Sequence, residues 1–467
     1  VSSQLHRGQA ASRRPLPLQI GSSWRVVVAA LLGLVLVLGG GASRIDESQQ
    51  VFVRLGAIAA LAATLWPLDL ETLRLRWRWL AGAAAVYLVV LLQLVPLPPA
   101  VWAALPGHAV YARVAAETDS VGWRPLSLTP DLTLNALLAL LPATAMGVCA
   151  LHLDSRARAR LADSVVLAAC ASAGLGLVQL ATGGGFHLFS QTGETAIGLF
   201  ANQNHQAAFL SCALPLTGAI AGRRTRDWPK PLVIAIALAI SAFLLIGVTL
   251  TGSRMGLVLG GIGAAGAIWC YRAGGNPIIP LSWPLRLALA AGVVAMLAGF
   301  AFTALRGGAI DRLASGGLTD QTRVAMFGPL LGMAQAFMPL GAGFGSFDAV
   351  YRHFEPSALL STIYMNEAHD EPLQLAIEGG LPALVLLGVF LVWWTRTAVR
   401  RIGLPLHTRR RGMGDAAAVV TVILMASSLV DYPLRTPLLG ALFAFACVEM
   451  LCSTEAGSPS IGRNGRS

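Results

Sequence analysis

Asn366–Leu387 reads NEAHDEPLQLAIEGGLPALVLL. Its first half sets His369 among Glu367, Asp370 and Glu371, and its second half opens an apolar run that continues through GVFLVWW. A helix needs about twenty apolar residues to cross the hydrocarbon core of a bilayer. The run meets that requirement, so the stretch reads as a membrane helix with a polar lip. Groups at such a lip are either solvated decoration at headgroup level or the place where chemistry happens.

The rest of the chain extends the first half of that reading. Hydrophobic residues make up 55% of the 467 positions and charged residues only 12%, about half the usual share for a soluble domain. The chain is therefore expected to be an all-α, polytopic membrane protein. The net charge of +11 would suggest nucleic acid in a soluble protein, but here the distribution of charge matters more, and no nucleic-acid partner is expected. Cys149, Cys170, Cys212, Cys270, Cys447 and Cys452 all lie in or beside apolar runs, without a CxxC pair. They read as small buried hydrophobes, with no disulfide framework or zinc site. The apolar run after Arg25, VVVAALLGLVLVLGGGAS, is longer than the core of a usual signal peptide. It reads as a retained first span.

Scanning with the same yardstick gives about twelve spans. They begin near Val26, Val51, Trp79, Thr133, Leu161, His205, Pro231, Met255, Trp283, Pro372, Asp415 and Arg435. With the N-terminus inside, alternate loops carry Arg74, Arg76 and Arg78; Arg156, Arg158 and Arg160; Arg223, Arg224, Arg226 and Lys230; Arg272; and Arg396 to Arg411. An excess of cations marks cytoplasmic loops, so both termini are expected in the cytoplasm. Three outer segments are too long for simple turns: Leu97–Asp131, Gly183–Asn204 and Leu305–Glu371. Long loops on a rigid scaffold are where function tends to sit. After Arg323 the largest carries VAMFGPLLGMAQAFMPL, expected as a helix along the outer interface. The glycine turn GAGFGSF follows; its spacing is not the dinucleotide fingerprint.

Ionisable groups at membrane depth are functional candidates. Arg254, in LTGSRMG, sits between two spans joined by almost no loop. It is either an interfacial arginine snorkelling to lipid or a phosphate clamp, since its fork binds phosphate oxygens bidentately. Arg323 opens the semi-apolar stretch, as a helix-start surface residue or an anion ligand. Arg306, Arg312 and Arg352 share its loop and are alternatives to it. Asn202, Asn204 and His205 form a polar entry to the sixth span, as helix caps or as ligand contacts. His369 has carboxylates beside it to orient or charge it, Asp370 among them, and its ordinary pKa suits proton transfer at neutral pH. The chain has no HExxH and no DxD pair, which argues against a metal.

These pieces resemble a known family. GLFANQNHQAAFL, LTGSRMGLVL, QTRVAMFGPLLGMAQAFMPLGAGFGSF, NEAHDEPLQLAIEGGLPALVLL and SSLVDYPLRTPLLGALFA occur in the order and spacing of the O-antigen ligase and polymerase superfamily. The resemblance covers about half of the chain, from Gly198 to Phe445. It implies a GT-C-like protein of the bacterial inner membrane with an active site on the periplasmic face. The domains implied are a cytoplasmic tail at 1–22, helices 1–5 over 23–197, an O-antigen ligase-like unit over 198–452 with periplasmic loop 305–371, and a tail at 453–467. Members move a glycan from undecaprenyl diphosphate to an acceptor hydroxyl, on lipid A-core for ligases or on another carrier-linked repeat for polymerases. The transfer is inverting, independent of metals and without a cofactor. By the same resemblance Arg254 and Arg323 correspond to the arginines that hold the diphosphate, and His369 to the histidine that acts at the acceptor. Here the histidine is followed by Asp370 and Glu371, where many members have an H-N-D-like order. Anion transport is the rival class. Transporters place ionisable groups at mid-membrane in broken, repeated spans, whereas these charges cluster at one face.

Overall fold

The computed structural model describes residues 23–66, 74, 77–183, 186–189, 196–276, 318–357, 365–402, 404 and 409–455. The chain runs α1 (Ser23–Gly39), α2 (Gln49–Leu65), α3 (Trp77–Leu92), α4 (Pro99–Ala103), α5 (Ala109–Glu117), α6 (Pro130–Ala139), α7 (Leu141–His152) and α8 (Ser155–Ala181). Then come α9 (Gln203–Arg224), α10 (Lys230–Leu250), α11 (Arg254–Ala273), α12 (Leu318–Phe337), α13 (Phe347–Phe354), α14 (Glu371–Ile402), α15 (Arg409–Ser427) and α16 (Pro437–Glu455). One two-residue ribbon, β1 (Pro96–Leu97) with β2 (Arg124–Pro125), is antiparallel. The protein is an all-α polytopic membrane protein. All the expected spans are helical except the ninth, near Trp283, which lies outside the described residues.

Among the described residues six helical stretches are long and apolar enough to cross a membrane, and α1, α2 and α3 are shorter apolar helices. α9 and α15 are among the least apolar of the helices at span positions. α9 packs against α8, α10, α11 and α15, and every residue from His205 to Ala219 is buried. A helix enclosed by other helices need not present apolar groups to lipid. Lipid tails are as apolar as leucine, so such helices associate by close packing rather than by hydrophobic burial. The α9–α11 contact shows how: a Cβ at Gly218 would lie 2.0 Å from the Ala267 carbonyl oxygen, and one at Gly263 2.5 Å from that of Ser211. The α15–α16 hairpin continues the bundle to α7, and α7 to α2 and α1.

A second apolar cluster caps one end of this bundle. It joins Met326, Leu330, Met333 and Phe337 of α12 to Phe347, Val350 and Tyr351 of α13 and Ile377 of α14. The stretch expected along the interface is thus α12, buried on one face and exposed at Phe327 and Leu331. α14 breaks at Gly380, whose φ of 59° and ψ of −151° are not helical, just before Pro382. Its 32 residues would otherwise rise about 48 Å, well beyond the hydrocarbon thickness. The tenth expected span, near Pro372, is thus α14, whose first part, Glu371–Gly379, packs with the cap before the break. The glycine turn rests on this break: a Cβ at Gly341 would lie 2.4 Å from the Glu378 carbonyl oxygen. Gln93, in the turn just after α3, fastens the same place, donating to the Glu378 carbonyl at 2.9 Å and accepting from the Phe344 amide at 2.9 Å.

Helix direction alternates, so the ends sort into two sets. Arg158 pairs with Glu449, Arg223 with Asp163, and Arg401 with Asp415 at one end. The starts of α9, α11, α14 and α16 lie at the other, with the cap.

Candidate functional site

The segment before α9 is tied down first. Gly198 donates its amide to Gln179 and Leu199 donates to Ser172, whose hydroxyl in turn donates to Gln206. This fixes the entry of α9. Asn202 caps the helix, its Oδ1 accepting from the Asn204 amide at 2.7 Å. Its Nδ2 points to Asp431 Oδ2 at 3.4 Å, and Asn204 Nδ2 donates to the same oxygen at 2.8 Å. Capping and site contact, alternatives in the sequence, are both present in Asn202.

Asp431 is the centre of the arrangement. It lies in the α15–α16 connection and is 1% exposed. His369 Nδ1 is 3.2 Å from its Oδ1, and His205 Nε2 is 3.8 Å from the same oxygen, at ion-pair but not hydrogen-bond distance. The Tyr432 ring lies 5.0 Å from the His369 ring and 5.2 Å from the His205 ring, edge-on to the latter. Burial pushes the Asp431 carboxyl up, but the two imidazoles outweigh it and hold the group well below the usual carboxylate range. Asp431 is therefore a carboxylate. Its bond to Nδ1 selects the tautomer in which Nε2 of His369 carries the lone pair. The His369 side chain is 22% exposed, so the pair is open to a partner on one side.

His369 has a φ of 52°, in the left-handed region. Among non-glycine residues histidine is one of those that visit it more often. Holding such a conformation costs on the order of 1–3 kcal/mol and needs a surrounding frame. The frame is visible. Ala368 donates its amide to Gln374, Asp370 caps α14 by accepting from the Leu373 amide at 3.0 Å, and the Glu371 amide donates to Ser428.

A second cluster abuts the first. Arg435 lies 3.1 Å from Glu367, 3.0 Å from Glu371 and 3.3 Å from Glu378. Gln374 donates to Glu367 and Glu378, and Glu378 Oε1 accepts from the Gly345 and Phe347 amides. Solvated decoration was one of two readings open for groups at this lip; Glu367 and Glu371 are instead both ligands of one guanidinium. That guanidinium fills the point where their charges converge. Among the described residues no group of three or more histidine, cysteine or acidic side chains is arranged to hold a metal ion.

Burial, with Glu378 and Glu371 close by, lifts the Glu367 carboxyl from 4.5 to about 7, against the pull of Arg435 and the Gln374 bond. A raised folded-state pKa means that the protonated form favours folding. That contribution is present below about pH 4.5 and is lost as pH rises through about 7. Glu367→Gln is expected to flatten this fall, which thermal melting of the two proteins across that range measures. Equal slopes would assign the titration elsewhere.

Arg254 opens α11 and is exposed, beside Ser253, which caps the helix through the Gly256 amide at 2.9 Å. A Cβ at Gly256 would lie 2.5 Å from that of Ala207. This sets the start of α11 beside the first turns of α9, at the same end as His205 and His369. Arg323 lies on α12, whose side chains are described only from Ala325 onward. Arg352 is exposed on α13 and pairs with Asp348 at 3.2 Å. Arg306 and Arg312 lie outside the described residues. Asp431, Tyr432, Arg435 and Glu378 are the site residues that sequence reasoning passed over. Asp431 and Arg435 were visible as charges, with Tyr432 beside the first, in an otherwise largely apolar hairpin, SSLVDYPLRTPLLG.

Residues 236–388 match the family described as O-antigen ligase. The match takes in most of α10, then α11, α12, the glycine turn, α13 and α14 as far as Gly388, and so both Arg254 and His369. The chain carries an O-antigen ligase domain. The domain supports membership of the ligase and polymerase superfamily and a function broadly of that type. No curated protein matches the chain.

Proposed function

We propose that the O-antigen ligase domain transfers an oligo- or polysaccharide from undecaprenyl diphosphate to an acceptor hydroxyl on the periplasmic face of the inner membrane. The observation that carries this reading is the His369–Asp431 pair, built from the residues just before α14 and the α15–α16 connection and open on one side. Asp431 accepts from Nδ1–H and is the positioning residue. His369 Nε2 takes the proton of the acceptor hydroxyl as its oxygen attacks the anomeric carbon. The bond from that carbon to the phosphate oxygen breaks, and the diphosphate leaves with the electron pair. Attack from the face opposite the leaving group inverts the sugar.

The leaving group gains negative charge as that bond breaks. Arg254 and Arg323 are assigned to it, since a guanidinium stays charged and binds phosphate oxygens in pairs. The Asp431 carboxylate stabilises the imidazolium that forms. The cation-rich helix ends face the cytoplasm in this reading, which sets the site outside. Residues 198–452 are the transferring unit.

The test is glycan transfer by purified protein in lipid discs, from a carrier-linked donor to lipid A-core. Transfer should appear in wild type and be lost in Arg254→Ala and in Arg323→Ala. Wild-type rates in both variants would remove the diphosphate clamp. Product on a carrier-linked repeat, and none on lipid A-core, would make the protein a polymerase.

A further inference from the structure

His205 stands in the first turn of α9 and is 1% exposed. Its Nε2 is buried and makes no hydrogen bond. A leucine would fill comparable space at no polar cost. A buried ring nitrogen without a bond is a liability that native structures rarely keep without a use.

That nitrogen faces Asp431 Oδ1 at 3.8 Å. The same oxygen accepts from the Tyr432 amide at 2.9 Å and lies 3.2 Å from His369 Nδ1. The other oxygen accepts from Asn204 at 2.8 Å, with Asn202 at 3.4 Å. Three polar side chains of one helix start, Asn202, Asn204 and His205, thus converge on the carboxylate that also serves His369. An ionised carboxylate only accepts hydrogen bonds. The ring nitrogen turned toward it therefore carries the hydrogen: Nδ1 in His369 and Nε2 in His205. The Tyr432 ring packs edge-on against His205, with 5.2 Å between centroids, and helps to fix the plane of that imidazole.

The two histidines differ in access. The His369 side chain is 22% exposed and that of His205 2%. His205 is closed to an acceptor sugar, and the group within its reach is Asp431. A movement of less than about 1 Å would bring its N–H to hydrogen-bond distance.

We propose that His205 is a positioning residue of the transfer reaction: its Nε2–H holds the Asp431 carboxylate from within the bundle, so that Oδ1 stays aimed at His369 as that ring gains a proton. His205 is then neither the helix cap nor the ligand contact that the sequence allows. Its effect on rate rests on the transfer reading, whereas its tautomer rests on geometry alone.

The experiment uses the full chain in lipid discs. His205→Phe keeps a ring against Tyr432 but has no N–H, and His205→Gln restores a donor of about the same reach. His205→Phe should lower the rate at saturating substrates about tenfold, the weight of one hydrogen bond to a charged group. The half-saturating concentrations of donor and acceptor should not change. His205→Gln should recover most of the loss, which a role in packing alone would not produce. Should His205→Phe not fold, His205→Leu takes its place. Nitrogen-15 NMR of the histidine-labelled wild type, assigned with either variant, should show Nε2 of His205 protonated and its signal moved by Asp431→Asn. A bare Nε2, a wild-type rate in the folded variant without a donor, or equal losses with and without the glutamine donor would overturn the proposal. So would raised half-saturating concentrations at an unchanged maximal rate, the mark of a substrate contact. A wild-type rate in His369→Asn would instead remove the transfer reading, while the Nε2 signal would still decide the contact between His205 and Asp431.

Discussion

His369→Asn is expected to slow glycan transfer by about 10²–10⁴-fold while the protein remains folded. Asparagine tolerates the left-handed backbone that His369 adopts. Its amide can still donate to Asp431, so the buried carboxylate keeps a partner. What it lacks is a basic nitrogen. The rate should fall at saturating donor with little change in the donor concentration needed for half-maximal rate, because the diphosphate clamp is untouched. Asp431→Asn should slow the reaction for a different reason. An amide at that place no longer selects the productive tautomer or stabilises an imidazolium. The pH profile separates the two: the acid limb set by the base should vanish in the His369 variant and move in the Asp431 variant. A wild-type rate in His369→Asn would remove the base role.

Arg435→Met should destabilise the protein by about 3–5 kcal/mol, the usual consequence of leaving a buried charge uncompensated. Three carboxylates converge on this guanidinium. Without it Glu378, 1% exposed, would face Glu367 and Glu371 with no counter-charge. Glu378 also holds the glycine turn through the Gly345 and Phe347 amides, so the cap over the site should loosen as well. Denaturant or thermal unfolding in lipid discs measures the loss. Adding Glu367→Gln and Glu371→Gln to the Arg435→Met protein should recover part of it, since the repulsion is then removed. An Arg435→Met protein as stable as wild type would mean that the cluster is solvated and contributes nothing.

The helices were legible because each apolar run is long and bounded by arginines or turn residues, and that signal needs no partner. The break in α14 was less so: the Gly379–Gly380 pair before Pro382 marks it, but a continuous apolar pattern hides it. The site divides the same way. His369 and Arg254 stand out as polar residues at span edges. Asp431 had the same signature in its hairpin. Its pairing with His369 crosses 62 positions and is set by how α14, α15 and α9 pack, which no local pattern encodes. Glu371, Gln374 and Glu378 do share a helix face by spacing. Only the position of Arg435 turns that face inward.

The order of the chain then has a consequence for biosynthesis. Asp431 and Arg435 lie on the connection between the last two described helices, so they leave the ribosome after every other part of the site. Until that hairpin inserts, His369 has no carboxylate to orient it, and three glutamates on the cap have no counter-ion. On the proposed reaction, a chain truncated before Asp431 is expected to insert its earlier helices yet transfer no glycan, and the α15–α16 hairpin is the part whose insertion completes the site.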